Sequence, residues 1–442
     1  MSTYKARSAQ PVETIAQLEE AFVPPSPVEG RVGAEWELLP LDKKGHMIAY
    51  AGPLGVERLL GRLAQKGFDP VMERGRIIAL EIKGKGMIAL EPGAQIEIAS
   101  RPFESLGEID RFFRQIHKMV RAEARPFGFD LFPWGLAPND GPEATKDVPK
   151  ARYAILKKHL ETTGDRGRWM MKLSAATQIS IDYMDETHLR DMVDGCMKLI
   201  PYLVALTANS PAANGRRSRW MSLRAPVWRR TDPKRCGLPA HLFSKGLSYG
   251  SLVRYAIERP PLFFVRGGRW VESDGRTFRE ILRRPGKIAP ITMDDWLLHL
   301  SALFPDIRIR GYLEIRVLDS LPLPLVMAMA ALLKGLMGRA GGFGWASRMQ
   351  PPAPVSVRRE LLSAARLGSK WRPEAGPEPE AAWAELLNAA EEGLKAFSEP
   401  PVFLDPLREL IASGRCPAEE WRKGKYGWMG PEPLGRAGQT GD

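Results

Sequence analysis

The chain has 442 residues, 44% hydrophobic and 26% charged, the balance of a globular protein with a large core. This excludes whole-chain disorder, a collagen-like repeat and a disulfide scaffold. The 64 Lys and Arg exceed the 52 Asp and Glu, for a formal charge of +12. The basic residues are scattered, with no run of five, so nucleic acid is not an expected partner. The three cysteines, Cys196, Cys236 and Cys416, have no CxxC or Cys/His spacing that would make a zinc site, and they suit a reducing compartment. Met1–Gln10 lacks the apolar stretch of a signal peptide. The longest apolar run, Leu325–Leu333, is too short to span a bilayer, so a cytoplasmic protein off the membrane is expected.

In chain order, Ile15, Leu18 and Phe22 recur at helical spacing before Pro24, Pro25 and Pro27 stop the helix. Arg31–Leu39 reads as a strand and Val56–Leu63 as a helix ending near Gly67. Val71–Glu97 reads as hairpins broken at Gly75, Gly84, Gly86 and Gly93. Ser105-Leu-Gly-Glu108 has the form of a capping box, opening a helix with Ile109, Phe112, Ile116 and Val120 on its buried stripe. Thr177–Tyr183 is a strand. Leu189–Ala208 is a helix containing Pro201, and Leu262–Val271 is a hairpin across Gly267-Gly268. Thr292 caps a helix through Leu303. A strand at Gly311–Leu318 and a helix at Leu325–Met337 follow. Gly338–Gly344 reads as a helix stop and loop and not as a phosphate cradle; no P-loop occurs. Beyond it lie helices at Ser356–Leu367, Glu380–Phe397 and Asp405–Ser413, and a Gly/Pro-rich tail from about 430 that is expected to be mobile. Strands and helices mix without regular βαβ alternation, which predicts an α+β fold with a largely antiparallel sheet.

Four of these strands carry a polar face. Period-two alternation puts Glu35 and Glu37 opposite Ala34, Trp36 and Leu38, and Gln95 and Glu97 opposite Ile96 and Ile98. It also puts Gln178, Ser180 and Asp182 opposite Ile179 and Ile181, and Tyr312, Glu314 and Arg316 opposite Leu313, Ile315 and Val317. Any one strand alone reads as a half-solvated sheet. Four mid-strand Glu residues among large apolar neighbours call for more, because Glu is a weak strand former and clustered carboxylates repel unless cations bridge them. Oxygen ligands select hard cations, and Mg²⁺ held by few carboxylates also takes substrate phosphates. The face therefore points to a Mg²⁺–nucleotide site.

A second group is basic. Arg224 and Arg235, in a loop-rich stretch after Asn209-Ser-Pro211, could clamp a carboxylate or phosphate bidentately. Arg152, in Lys150-Ala-Arg-Tyr153, has a similar setting. The plain alternative is a set of surface arginines. Cys236 sits among basic residues that would lower its pKa, against the simpler reading of a small buried residue. His46, His117 and His299 have no partner at ligand or triad spacing and read as structural.

Taken in order from about Val32 to Gly338, these segments resemble the plant-type glutamate–cysteine ligases, a family shared by plants and many bacteria. The matching residues are Gly33-Ala-Glu-Trp-Glu37, Ala89-Leu-Glu-Pro-Gly-Ala-Gln-Ile-Glu97, Arg152-Tyr153, Met170-Met171, Gln178, Ala208-Asn-Ser-Pro211, Leu223-Arg224, Val227-Trp228, Thr231-Asp232, Arg235-Cys-Gly237, Asp295-Trp296, Phe304-Pro305 and Tyr312-Leu-Glu-Ile-Arg316. The resemblance implies a glutamine-synthetase-like fold, a curved antiparallel sheet forming a cup with flanking helices. It implies a catalytic domain over 1–345 with a helical region over 346–442 packed on it. It further implies ATP, Mg²⁺, L-glutamate and L-cysteine, and the first step of glutathione biosynthesis, in a monomer or homodimer. Carried over residue by residue, Glu35, Glu37, Glu91, Glu97, Gln178 and Glu314 would face the metal ions and phosphates. Arg152, Arg224 and Arg235 would bind glutamate's carboxylates. Arg316, with Glu314, would serve phosphoryl transfer.

The chain departs from the family in places. The plant enzymes carry a redox-regulatory cysteine just before the strand of Gln178, where this chain has Ser174-Ala-Ala176, so no disulfide requirement is expected. Ser180 stands where the family commonly has Asn, and the C-terminal third matches loosely. Related ligases join glutamate to other amines, which leaves the acceptor as an alternative. A basic binding protein without catalysis is the other class, and carboxylates on a nucleic-acid surface would oppose it.

Overall fold

The computed structural model describes residues 10–145, 147–239, 246–339, 341–349 and 354–424. The tail expected to be mobile from about 430 lies outside them. The strands are β1 (Val32–Asp42), β2 (Asp69–Glu73), β3 (Arg76–Ile82), β4 (Gly86–Leu90), β5 (Ile96–Ser100), β6 (Phe129–Phe132), β7 (Ala176–Ile181), the two-residue pair β8 (Ala212–Ala213) and β9 (Arg216–Arg217), β10 (Cys236–Gly237), β11 (Phe263–Arg266), β12 (Arg269–Glu272), β13 (Phe304–Pro305), β14 (Ile307–Ile309) and β15 (Leu313–Asp319). The α-helices are α1 (Val56–Ala64), α2 (Leu106–Ala124), α3 (Ala151–Thr163), α4 (Gly167–Leu173), α5 (Glu186–Thr207), α6 (Arg224–Arg229), α7 (Tyr249–Ile257), α8 (Phe278–Arg283), α9 (Met293–Ser301), α10 (Leu323–Met337), α11 (Gly344–Arg348), α12 (Pro354–Leu367), α13 (Pro379–Ala396), α14 (Asp405–Ala412) and α15 (Pro417–Arg422).

One nine-stranded sheet runs in the order β14-β15-β7-β1-β5-β4-β3-β2, with β6 also paired to β1. Its ladders are antiparallel throughout. Its order is not sequential because β7 returns to lie beside β1 and β15 beside β7, which seats residues distant in the chain side by side. The apolar alternates of the central strands are buried, Trp36, Ile98, Ile179 and Ile315 among them. Helices α2 and α10 pack on the central strands, and the Trp36 indole on this side donates to Leu321 O at 2.8 Å.

The helix signals behave as their chemistry dictates. Thr292 caps α9 with a reciprocal bond from Asp295. Ser105 caps α2 through Gly107 N at 3.2 Å, but Glu108 does not complete a box. The opening segment, Ala16–Phe22, winds as a 3₁₀ helix. The setting of Arg152 is helical, not a loop, since α3 begins at Ala151. Arg224 likewise opens α6.

The C-terminal helices pack directly on this frame. A Cβ on Gly335 of α10 would stand 2.2 Å from Ala390 O, and one on Gly393 of α13 would stand 2.0 Å from Gly335 O. The two helices therefore touch backbone to backbone, which only glycine permits. Beside this crossing, buried Lys334 pairs with Glu399 at 2.7 Å, and the same Glu399 oxygen accepts from Leu106 N at the start of α2.

Candidate active site

The ladder registers bring the predicted polar residues onto one face. Glu37 of β1 stands opposite Glu97 of β5. Glu35 stands opposite Gln178 of β7, and Ser180 of β7 opposite Glu314 of β15. Glu37, Glu97, Gln178 and Glu314 are buried, while Glu35 and Glu91 are half-buried.

A chain of hydrogen bonds crosses four strands of this face. Arg308 of β14 grips both oxygens of Glu314, at 2.6 and 3.0 Å. Arg316 donates to the same carboxylate at 3.0 Å and to Gln178 Oε1. Gln178 Nε2 donates to Glu37 Oε1 at 2.8 Å, and Ala176 N donates to Glu37 Oε2 at 2.7 Å.

The chain divides the face by charge. At the β14–β15 end, burial alone would raise Glu314, but Arg308 and Arg316 hold its carboxyl at about 2. At the β1–β5 end the carboxylates crowd one another instead. Glu37 is pushed up to about 8, by burial first and then by Glu91 and Glu97, with Arg224 and the Ala176 N–H opposing. Glu97 is pushed up to about 7, burial foremost, with Glu35 and Glu91 adding. Glu314 lies three strands from Glu97, about 14 Å of sheet at ~4.8 Å per strand, so it belongs to the arginine end.

The arginines expected to act together stand in three settings. Arg224 is buried beside Arg316, donating to Arg316 O at 3.2 Å and stacking over Trp228 at 5.6 Å. Both line one narrow cleft with Trp228 and Asp306. Arg235 is absent from that cleft; its guanidinium donates to Pro260 O at 2.6 Å and pairs with Asp232 at 3.3 Å. Arg152 stacks over Tyr153 at the acidic end, beside Lys150. Cys236 does not become a reactive thiol: burial, then Asp232, pushes it up to about 12. Gln95 shares the parity of Glu97 but is taken up structurally, donating to Met171 O and Ser174 O.

Three contributors have little sequence signal. Arg308 sits on a three-residue strand. Asp319, at the end of β15, accepts from Asn209 N at 2.7 Å, Ser210 Oγ at 2.8 Å and Ser222 Oγ at 2.9 Å. It thereby ties down the segment leading to Arg224, whose own N–H reaches Ser210 Oγ at 3.1 Å. Lys150 is buried beneath the acidic end, donating to Leu90 O at 2.6 Å. Burial pushes its amine down to about 7 against the pull of Glu91.

The donor set at the acidic end is all oxygen, which fits a hard cation. Among the described residues no three Asp, Glu, His or Cys side chains form a ready metal cage.

The sequence matches the family model for glutamate-cysteine ligase family 2 (GCS2) over residues 31–436. The chain belongs to this family. It is accordingly an enzyme, a ligase. Family-2 relatives include the chloroplastic glutamate–cysteine ligase of Nicotiana tabacum, 28% identical over 411 residues that cover 90% of this chain and 77% of the relative. The Solanum lycopersicum enzyme of the same name is 29% identical over 419 residues, with 90% and 77% covered. The fold matches the crystal structure of a glutamate–cysteine ligase from Francisella tularensis in complex with AMP, at TM-score 0.53 and 13% identity, covering 89% of this chain and 84% of that one. The expected α+β fold, a large antiparallel sheet with flanking helices, is thus the one found. No helix among the described residues of this family-2 ligase is long and apolar enough to cross a membrane.

Proposed function

We propose that this ligase joins the γ-carboxylate of L-glutamate to the amine of L-cysteine at the expense of ATP, through a γ-glutamyl phosphate, as the first step of glutathione biosynthesis. The observation that carries the reading is the single sheet face divided between a cluster of carboxylates and a pair of arginines on Glu314, joined through Gln178.

In this proposal Glu35, Glu37, Glu91 and Glu97 hold Mg²⁺, with Gln178 and Glu314 at its margin. Bound Mg²⁺ would supply neutralisation of the ATP phosphates. Arg316, fixed by Glu314, holds the oxygens of the transferring phosphoryl group, a preorganised charge that needs no reorganisation during transfer. Arg224 binds the α-carboxylate of glutamate so that the γ-carboxylate is the one presented to ATP. Arg152 and Arg235 act from further out, Arg152 at the acidic end and Arg235 through the wall it shares with Asp232. The acceptor amine then attacks the acyl phosphate and phosphate leaves. Three cysteines without disulfide partners support a reducing, cytoplasmic setting.

The test is isotopic. Label from ¹⁸O in glutamate's γ-carboxylate is expected in released phosphate, with ADP as co-product. Unlabelled phosphate, or AMP and pyrophosphate, would refute the route.

A further inference from the structure

Residues 91–95 form the turn between β4 and β5, and Glu91 opens it. The turn closes on itself: Glu91 N donates to Gln95 O at 3.0 Å and Ala94 N to Glu91 O at 2.9 Å. Ala94 stands at φ 71°, a left-handed backbone that residues with a side chain rarely adopt. Such strain persists only where the surroundings over-determine the chain. Here they do so from two sides. Towards α4, a Cβ on Gly93 would stand 2.1 Å from Lys172 O. The Gln95 amide accepts from Gly93 N at 2.8 Å and donates to Met171 O at 3.2 Å and Ser174 O at 2.8 Å.

The start of α3 closes the other side. Val148 N donates to Pro92 O at 2.9 Å. Two side chains then converge on the carbonyl of Leu90, the residue before Glu91. Lys150 Nζ donates to it at 2.6 Å and the Tyr153 hydroxyl at 2.9 Å. Both residues are buried, and the amine lies 3.4 Å from the hydroxyl. Lysine is rarely buried so fully unless it is paired. The hydrogen bonds of Lys150 go to this carbonyl and this phenol and not to a carboxylate. Glu91 acts electrostatically on Glu37, on Glu97 and on the Lys150 amine, so the turn sets where its carboxylate stands at the acidic end.

We propose that Lys150 and Tyr153 are positioning residues for Glu91: by gripping Leu90 O together they fix the carboxylate that completes the Mg²⁺ site. The inference rests on the Mg²⁺ assignment above. Geometry and charge predict opposite signs for it. Removing a cation beside Glu91 and Glu97 deepens the negative potential there, which by itself tightens Mg²⁺ binding. Loosening the turn weakens binding, as loss of a partner that orients a ligand does by about 10- to 100-fold.

The test is calorimetric titration of Mg²⁺ into the full chain carrying a non-hydrolysable ATP analogue, beside the apparent KM for Mg²⁺ in turnover. In Lys150→Met, Mg²⁺ binding should weaken at least about tenfold. In Tyr153→Phe, which leaves Lys150 on Leu90 O, it should weaken about threefold, the worth of one hydrogen bond. Either variant combined with Glu91→Gln should bind no more weakly than Glu91→Gln alone, because both act through that carboxylate. Unchanged or tighter Mg²⁺ binding in either variant overturns the proposal, and so do losses that add to that of Glu91→Gln. Should Lys150→Met fail to fold, Tyr153→Phe and its combination with Glu91→Gln decide alone. Wild-type Mg²⁺ binding in Glu91→Gln, or none in wild type, would overturn the proposal from beneath, by removing the metal assignment itself.

Discussion

Glu37 and Glu97 stand directly opposite one another on β1 and β5, two buried carboxylates on the same side of the sheet. Burial first, then neighbouring carboxylates, raises both, so their ionised forms oppose folding in the absence of a compensating cation. Glu97→Gln is expected to stabilise the metal-free protein at pH 8 by about 1–2 kcal/mol. On the proposed Mg²⁺ site, Mg²⁺ should raise the Tm of wild type, and Glu97→Gln should abolish that rise. Thermal melts with and without Mg²⁺ decide this, and an unchanged Mg²⁺ response in the variant would contradict it.

Glu314 behaves in the opposite way. It is the shared acceptor of Arg308 and Arg316, and removing its charge strands two guanidinium groups in the sheet. Glu314→Gln is expected to cost about 3–5 kcal/mol of stability, the penalty for breaking a buried ion pair. Turnover should fall at least about 100-fold, because Arg316 loses its orientation. Urea unfolding of Glu314→Gln beside Glu97→Gln should give shifts of opposite sign.

Asp319 touches no predicted ligand, yet it collects three donors from the segment that leads to Arg224. Asp319→Ala is expected to lose about 3 kcal/mol, since buried donors are left without an acceptor. KM for glutamate should rise about tenfold with a smaller change in kcat. Asp319→Asn keeps one carbonyl oxygen and should recover part of both. A variant with full stability and normal KM would remove Asp319 from this role.

His117 lies against Trp36 with ring centroids 4.7 Å apart. Burial, then Arg121, lowers it from 6.5 to about 4. The unfolded chain therefore binds the proton first as pH falls. Stability from this group is whole above pH 6.5 and is lost progressively down to about pH 4. Between pH 7 and 4.5, His117→Phe should lose on the order of 2 kcal/mol less than wild type. Parallel stability curves over that range would show the assignment wrong.

Much of the site was legible because a strand has a strict period of two. Glu35, Glu37, Glu97, Gln178 and Glu314 could be put on one face from spacing, and the ladder registers bear that out. Two kinds of information are missing from such a pattern. Pairing order is one: only the folded sheet shows that Glu314 sits with the arginines, three strands from Glu97. Long-range side-chain partners are the other, as with Asp319 holding Asn209 from 110 positions away. Arg308 escaped notice because three residues are too few to show alternation. In α3, Tyr153, Leu156 and Leu160 do recur at helical spacing and are buried, but Lys150 gives no side-chain cap, so the start of the helix was hidden.

The backbone crossing of Gly335 and Gly393 has a consequence for synthesis. Helix α10 packs against β1 and β7, and its outer surface is a strip with no side chain at Gly335. Until α13 leaves the ribosome, that strip and the apolar residues around it face water, although every strand of the sheet has already been made. The nascent chain thus passes through a stage in which its reaction face can form while its far side is adhesive. A fragment cut before α13 would stay at that stage, prone to self-association, and shelter by a chaperone would matter most between the synthesis of α10 and that of α13.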